Sequence, residues 1–189
     1  MRAHQRQLIL ITLWGAVILY FCFFVTISSL RHYNFQTQTW DMGVFVQTFW
    51  NSTQGRFMLN SLEEVSNTLG VHMSPWLFLL VPGYALFPSA YYLLVVQTFA
   101  LAIGAIPLYY LGKSVVKNEK IALTVALAYL LYPSLHWVNL FDFHAISFFV
   151  PLMITAFYYT EQARWLPASL FLMLAASTRE DAVIAIASL

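Results

Sequence analysis

Residues 8–30 read LILITLWGAVILYFCFFVTISSL, 23 residues without a single charge. About 20 apolar residues in an α-helix cross a hydrocarbon core of roughly 30 Å. A helix is also one of the few backbones that satisfies its own hydrogen bonds in lipid. A secretory signal has an apolar core of about 7–15 residues and ends in a small-x-small cleavage site. The 8–30 run is longer and has no such site, so it predicts a retained spanning helix.

The rest of the chain agrees. Of 189 residues, 60% are hydrophobic and 9% charged, against about 25% charged in soluble domains. No basic run is present, which excludes nucleic acid as a partner. Cys22 is the single cysteine, so no internal disulfide can form, and it reads as a packing residue. Further apolar segments lie at 90–111, 121–137 and 145–160. A fifth begins at 165, meets TRED at 178–181 and resumes to 189. The fold class is therefore all-α: one polytopic transmembrane domain over residues 1–189. The chain ends inside AVIAIASL (182–189) without a polar stop, which predicts the N-terminal part of a longer protein.

Lysine and arginine in short loops mark the cytoplasmic side. With the N-terminus inside, Arg2, Arg6, Lys113, Lys117, Lys120 and Arg164 fall inside, and only Arg31 and Arg56 outside. This predicts a multi-pass cell-membrane protein with a cytoplasmic N-terminus. Residues 31–89 then form a long outer loop, and Asp41, Glu63, Glu64 and Asp142 all lie outside. Within that loop, WDMGVFVQTFWNS (40–52) places Met42, Phe45, Val46, Phe49 and Trp50 on one helical face, with Asp41, Thr48, Asn51 and Ser52 opposite. It predicts an interfacial helix with its aromatics in the acyl boundary. HMSPWLFLLVPGYALFP (72–88) is apolar but interrupted by prolines. It reads as a re-entrant or interfacial helix, or as a kinked extra span. The latter would put the Lys113–Lys120 cluster outside, against the charge bias.

Several polar residues interrupt this apolar chain. NLFDFHAISFFVP (139–151) holds Asp142 and His144 one residue apart. A carboxylate oxygen and an imidazole nitrogen both bind divalent ions, so the pair is a candidate metal site. The structural alternative is a turn in which Asp142 caps the next helix. Asp41 opens its helix, where it is either an N-cap or a second carboxylate on the same side as Asp142. His72 joins that side. His32, Glu63 and Glu64 read as solvated loop, and His136 as an interface anchor. Arg179, Glu180 and Asp181 each cost about 2.5–3.5 kcal/mol at the centre of a membrane helix. They must face a cavity, pair with other helices or reach a membrane surface. Asn51–Thr53 matches a glycosylation acceptor, but inside a predicted helix it reads as coincidence.

WDMGVFVQTFWNSTQGRF, HMSPWLFLLVPGYALFP, YYLLVVQTFALAIGAIPLYYL, FDFHAISFFVP and TREDAV together resemble an uncharacterised family of prokaryotic polytopic membrane proteins, known as a domain of unknown function. The resemblance runs from about Phe35 onward. By topology the chain is similar to GT-C membrane glycosyltransferases, which use polyprenyl-phosphate-linked sugars. That resemblance implies a catalytic base at Asp41 in the first outer loop. It implies a metal or substrate role for Asp142 and His144, phosphate binding at Arg179, and a substrate-binding place for His72. The cation would be Mn²⁺, Mg²⁺ or Zn²⁺, with His144 favouring Mn²⁺ or Zn²⁺ over Mg²⁺. Implied partners are membrane lipid and the polyprenyl-linked sugar. Two other functions fit the same residues: a transporter or flippase for a lipid-linked or amphiphilic solute, and a non-catalytic membrane scaffold.

Overall fold

The 8–30 run lies within one uninterrupted helix, α1 (Arg2–Tyr33), in a computed structural model that describes residues 2–188, with side chains from His4 onward. The side chain of Arg2, counted above among the inside cations, and Leu189, the last residue of the fifth segment, lie outside the described residues. At 1.5 Å per residue α1 is about 48 Å long, enough to cross a bilayer. It buries a stripe of Leu13, Val17, Tyr20 and Phe24 and leaves Ile11, Leu19 and Phe23 uncovered. An all-round apolar helix of this kind has lipid for a solvent. Cys22 falls on the uncovered side rather than in the packing, which corrects its expected role.

The 31–89 segment folds into short pieces. A π-helical turn (Thr39–Gly43) leads into α2 (Val44–Thr53), followed by α3 (Thr68–Val71), a 3-10 turn (Pro75–Leu79) and α4 (Val81–Leu86). None of these pieces is by itself long enough to cross a membrane. The remaining chain forms α5 (Ala90–Ile103), α6 (Ala105–Val116), α7 (Glu119–Leu130), α8 (Pro133–Leu140), a 3-10 turn (Ala145–Phe148), α9 (Phe149–Glu161), α10 (Trp165–Ala176) and α11 (Glu180–Ala187). The protein is 77% helical, and no strand forms among the described residues. Two stretches are long and apolar enough to cross a membrane, His4–Tyr33 and Ala90–Val116. The pair α7–α8, bent by 41°, makes a third if it counts as one span.

That bend has a local cause. Pro133 lacks an N–H and pushes Tyr132 into an extended conformation, so the helix cannot run through. The His136 ring supplies a replacement donor: Nε2 donates to the Leu130 carbonyl at 2.7 Å. A carbonyl left open at a break inside an apolar bundle is thereby satisfied. His136 anchors the kink, and its ring lies against Tyr20 and Phe24 of α1.

α1 packs on α5 and α7, α6 lies between α7 and α9, and α10 covers α9. A close approach falls at Gly104, between α5 and α6. A methyl group there would stand 2.6 Å from the Tyr129 hydroxyl and 3.1 Å from Pro151 Cβ. Tyr129 is held in place because its hydroxyl donates to the Leu101 carbonyl. We expect Gly104→Ala to destabilise the bundle by about 1–3 kcal/mol, the usual range for overpacking. Unfolding in mixed micelles measures this, and the cost should shrink in a Tyr129→Phe background, where the clashing oxygen is gone.

Candidate functional site

Gln97 is fully buried in α5, a lone amide in an apolar helix. Its Oε1 accepts from the His144 backbone N–H at 2.8 Å. Its Nε2 donates to the carbonyls of Val138 (3.3 Å) and Asp142 (3.4 Å). The non-helical stretch between α8 and α9 is therefore tied to α5 by one side chain. The neighbouring Thr98 donates to Asn139 Oδ1 at 2.8 Å, and Asn139 donates to the Tyr20 hydroxyl at 3.3 Å, which adds α1 to the same polar contact. Together these bonds set the positions of Asp142 and His144.

The two side chains then part company. Asp142 is 4% exposed, and its carboxylate accepts from the Gln38 backbone N–H at 2.6 Å. It caps no part of α9, contrary to the turn alternative; its partner is the strand-like entry to the 31–89 segment. Burial holds its carboxyl above the usual carboxylate range, while the Gln38 N–H pulls the other way. His144 Nδ1 donates to the Asp142 carbonyl at 3.0 Å. A carbonyl only accepts, so Nδ1 carries the hydrogen and Nε2 is turned outward. That nitrogen stands 3.4 Å from Asp41 Oδ1, beyond ordinary hydrogen-bond range. A carboxylate oxygen and a ring nitrogen this close are bridged by a shared donor: a substrate hydroxyl, a cation, or a proton on Nε2 itself.

Asp41 lies inside the π-helical turn before α2. Gln38, in extended conformation, is the residue preceding that turn, so Asp41 is not an N-cap. The helix it leads into also differs from expectation. Part of its aromatic face meets protein: Phe49 is stacked on Tyr84 and edge-on to Phe143, while Trp50 stays exposed. Its hydroxyl face is buried too. Thr48 and Thr68 share a 2.6 Å hydrogen bond, Asn60 Nδ2 donates to Thr68 Oγ1 and Glu63 Oε2, and Ser52 Oγ accepts from the Met58 N–H. An amphipathic pattern reads polar residues as wet, whereas here they bond to the returning loop.

The TRED stretch finds its partners far along the chain. Glu180 accepts from His72 Nδ1 and from the Met73 N–H, both at 2.9 Å, and the Trp76 N–H donates to the Ser177 carbonyl at 3.0 Å. Residues 72–76 are thus fastened to the α10–α11 break. Arg179 pairs with Asp181, Nη2 to Oδ2 at 2.9 Å, and keeps a buried Nε–H without a partner. The expected intramembrane charge problem is solved by pairing.

These contacts bring Asp41, His72, His144 and Arg179 to one cavity of about 280 Å³, near the lower end of ligand-site sizes. Asp142 stands behind it. Trp40, Glu63 and Ser74 also line the cavity. Sequence reading missed all three, and it placed Glu63 in solvated loop. For a cation the cavity offers two close donors, Asp41 and His144, with the ring fixed through its second nitrogen as metal-bound histidines are. No group of three or more ligating side chains gathers among the described residues.

Two outcomes test this construction. Gln97→Leu strands the His144 N–H and removes a donor from the Val138 and Asp142 carbonyls, and should lower stability by about 1–3 kcal/mol. Asp142→Asn keeps an acceptor for Gln38 but removes the buried charge. Because the folded pKa lies above the ordinary 3.8, the stability carried by the neutral carboxyl is complete below that value and is lost as pH rises through the folded pKa. Thermal unfolding followed against pH should find Asp142→Asn more stable than the parent at neutral pH, with the gap closing in acid.

A family model described as "Predicted membrane protein (DUF2079)" matches residues 31–189. No curated protein and no solved structure matches the chain. The matched region contains every residue of the cavity, and the chain belongs to the DUF2079 family of membrane proteins.

Proposed function

We propose that this protein is a membrane glycosyltransferase of GT-C type, which transfers a sugar from a polyprenyl-phosphate carrier to an acceptor hydroxyl. The reaction takes place at the outer face of the cell membrane, with the N-terminus in the cytoplasm. One observation carries the reading: two carboxylates, two imidazoles and a guanidinium from separate segments line one cavity. Its walls come from the 31–89 segment and from the connections after α8 and α10, where apolar helices end. A lipid-linked donor, with its tail in the bilayer and its phosphate at the interface, presents its reacting bond at that depth.

The acceptor hydroxyl donates to Asp41 Oδ1, and the adjacent His144 Nε2 restricts where that hydroxyl can sit. As the acceptor oxygen bonds to the anomeric carbon, the bond from that carbon to the phosphate oxygen breaks and the proton passes to Asp41. The carrier leaves as its phosphate. Arg179, with its unpaired Nε–H, faces the developing negative charge. His72, also in the cavity wall, binds the sugar or phosphate. A divalent cation, when bound, would be held by His144 and Asp41 and would neutralise phosphate charge. Asp142 supports that site through its carbonyl on His144 rather than through its carboxylate.

The test is transfer from a polyprenyl-phosphate sugar by the full-length protein in membranes. Asp41→Asn is expected to lower turnover by about 10²–10⁴-fold, the span of general-base contributions, at matched membrane expression. Unchanged turnover removes Asp41 from the mechanism. Carrier moved across the bilayer but chemically unaltered identifies a flippase instead.

A further inference from the structure

Away from the Asp41 cavity, the start of α1 meets the α6–α7 connection. The far end of α1 is elsewhere: His32 shares a cleft with Ser89 and Ala90 at the start of α5. A second cavity, of about 640 Å³, opens at the α6–α7 connection, its polar wall made by Arg6, Lys117, Asn118, Glu119 and Lys120. Glu119 is already engaged. It pairs with Lys113 and stands 4.0 Å from Arg6. Lys117 and Lys120 are exposed and form no ion pair among the described residues. The wall therefore keeps an excess of positive charge.

The backbone holds these lysines in a tight connection. Asn118 Oδ1 accepts from the N–H groups of Lys120 (3.0 Å) and Ile121 (3.3 Å), capping α7. Lys117 ends α6 in the left-handed region, at φ 56° and ψ 23°. Glycine is the residue that takes this conformation at a helix end without strain. A lysine there keeps a charge at some backbone cost. Both spanning stretches, His4–Tyr33 and Ala90–Val116, terminate at this place. The charges therefore stand at headgroup depth. Uncovered Leu8, Val116 and Ile121 adjoin them, offering apolar surface to acyl chains.

We propose that this face is a binding site for the headgroup of an anionic phospholipid, with its phosphate on Lys117 and Lys120 and its chains along Leu8, Val116 and Ile121. Basic residues beside spanning helices attract such lipids, and each contributes about a five-fold gain in retention. The site is separate from the Asp41 cavity and does not depend on its chemistry.

The experiment is native mass spectrometry of the full chain in detergent, titrated with phosphatidylglycerol or phosphatidylcholine. The parent should retain phosphatidylglycerol in preference. Lys117→Gly/Lys120→Gln should lose roughly five-fold of that retention per lysine, keep its phosphatidylcholine level, and unfold no earlier, since glycine relieves the left-handed position. Lys120→Gln alone, with no backbone change, should lose about five-fold. Equal retention of both lipids by the parent, or unchanged phosphatidylglycerol retention in the variants, overturns the proposal. So does an equal loss in Arg164→Gln, a cation outside this wall, which would indicate diffuse charge. Release of the lipid by inorganic phosphate would mean that the wall reads a free anion, and also overturns it.

Discussion

A single buried amide governs the arrangement around the cavity. Gln97 sits in an apolar helix where an unpaired polar group is costly, so its hydrogen bonds are in effect obligatory. All of them go to the backbone from the last turn of α8 to His144. That backbone is irregular and could not otherwise satisfy its own polar groups beside lipid. Amide and irregular chain each supply what the other lacks. His144 and Asp142 inherit their positions from this exchange, and through them so do the entry to the 31–89 segment and the place of Asp41.

The carboxylates divide into supports and a free group. Asp142 is spent on Gln38, Glu180 on residues 72–73, and Asp181 on Arg179. Each joins segments or settles a charge in a region poor in water. Asp41, by contrast, faces the His144 Nε2 at 3.4 Å. The neighbouring acids are committed to structure, and Asp41 is the one that stands beside that imidazole nitrogen on the cavity wall.

Much of the architecture was legible in the chain. The run at 8–30 became α1, and the segment at 90–111 became α5 and α6 with a joint at Gly104. Asp41, His72, His144 and Arg179 stood out as polar residues in apolar surroundings, and they meet at one cavity. What misled was the equation of polar with solvated. Thr48, Ser52 and Glu63 were assigned to water, yet they bond to a returning loop or line the cavity. Gln97 was passed over because one amide barely changes the hydropathy of its segment.

Hydropathy and charge bias are sums over neighbours along the chain. They determined that the protein is helical, lies in a membrane, and interrupts its apolar segments at a few polar residues. Which of those residues are partners was decided only by the tertiary structure. The bond from Gln38 to Asp142 closes 104 residues of chain, and that from His72 to Glu180 closes 108. No local pattern records such a pairing, because a hydrogen bond depends on where two atoms arrive in space, and the packing of whole helices sets that.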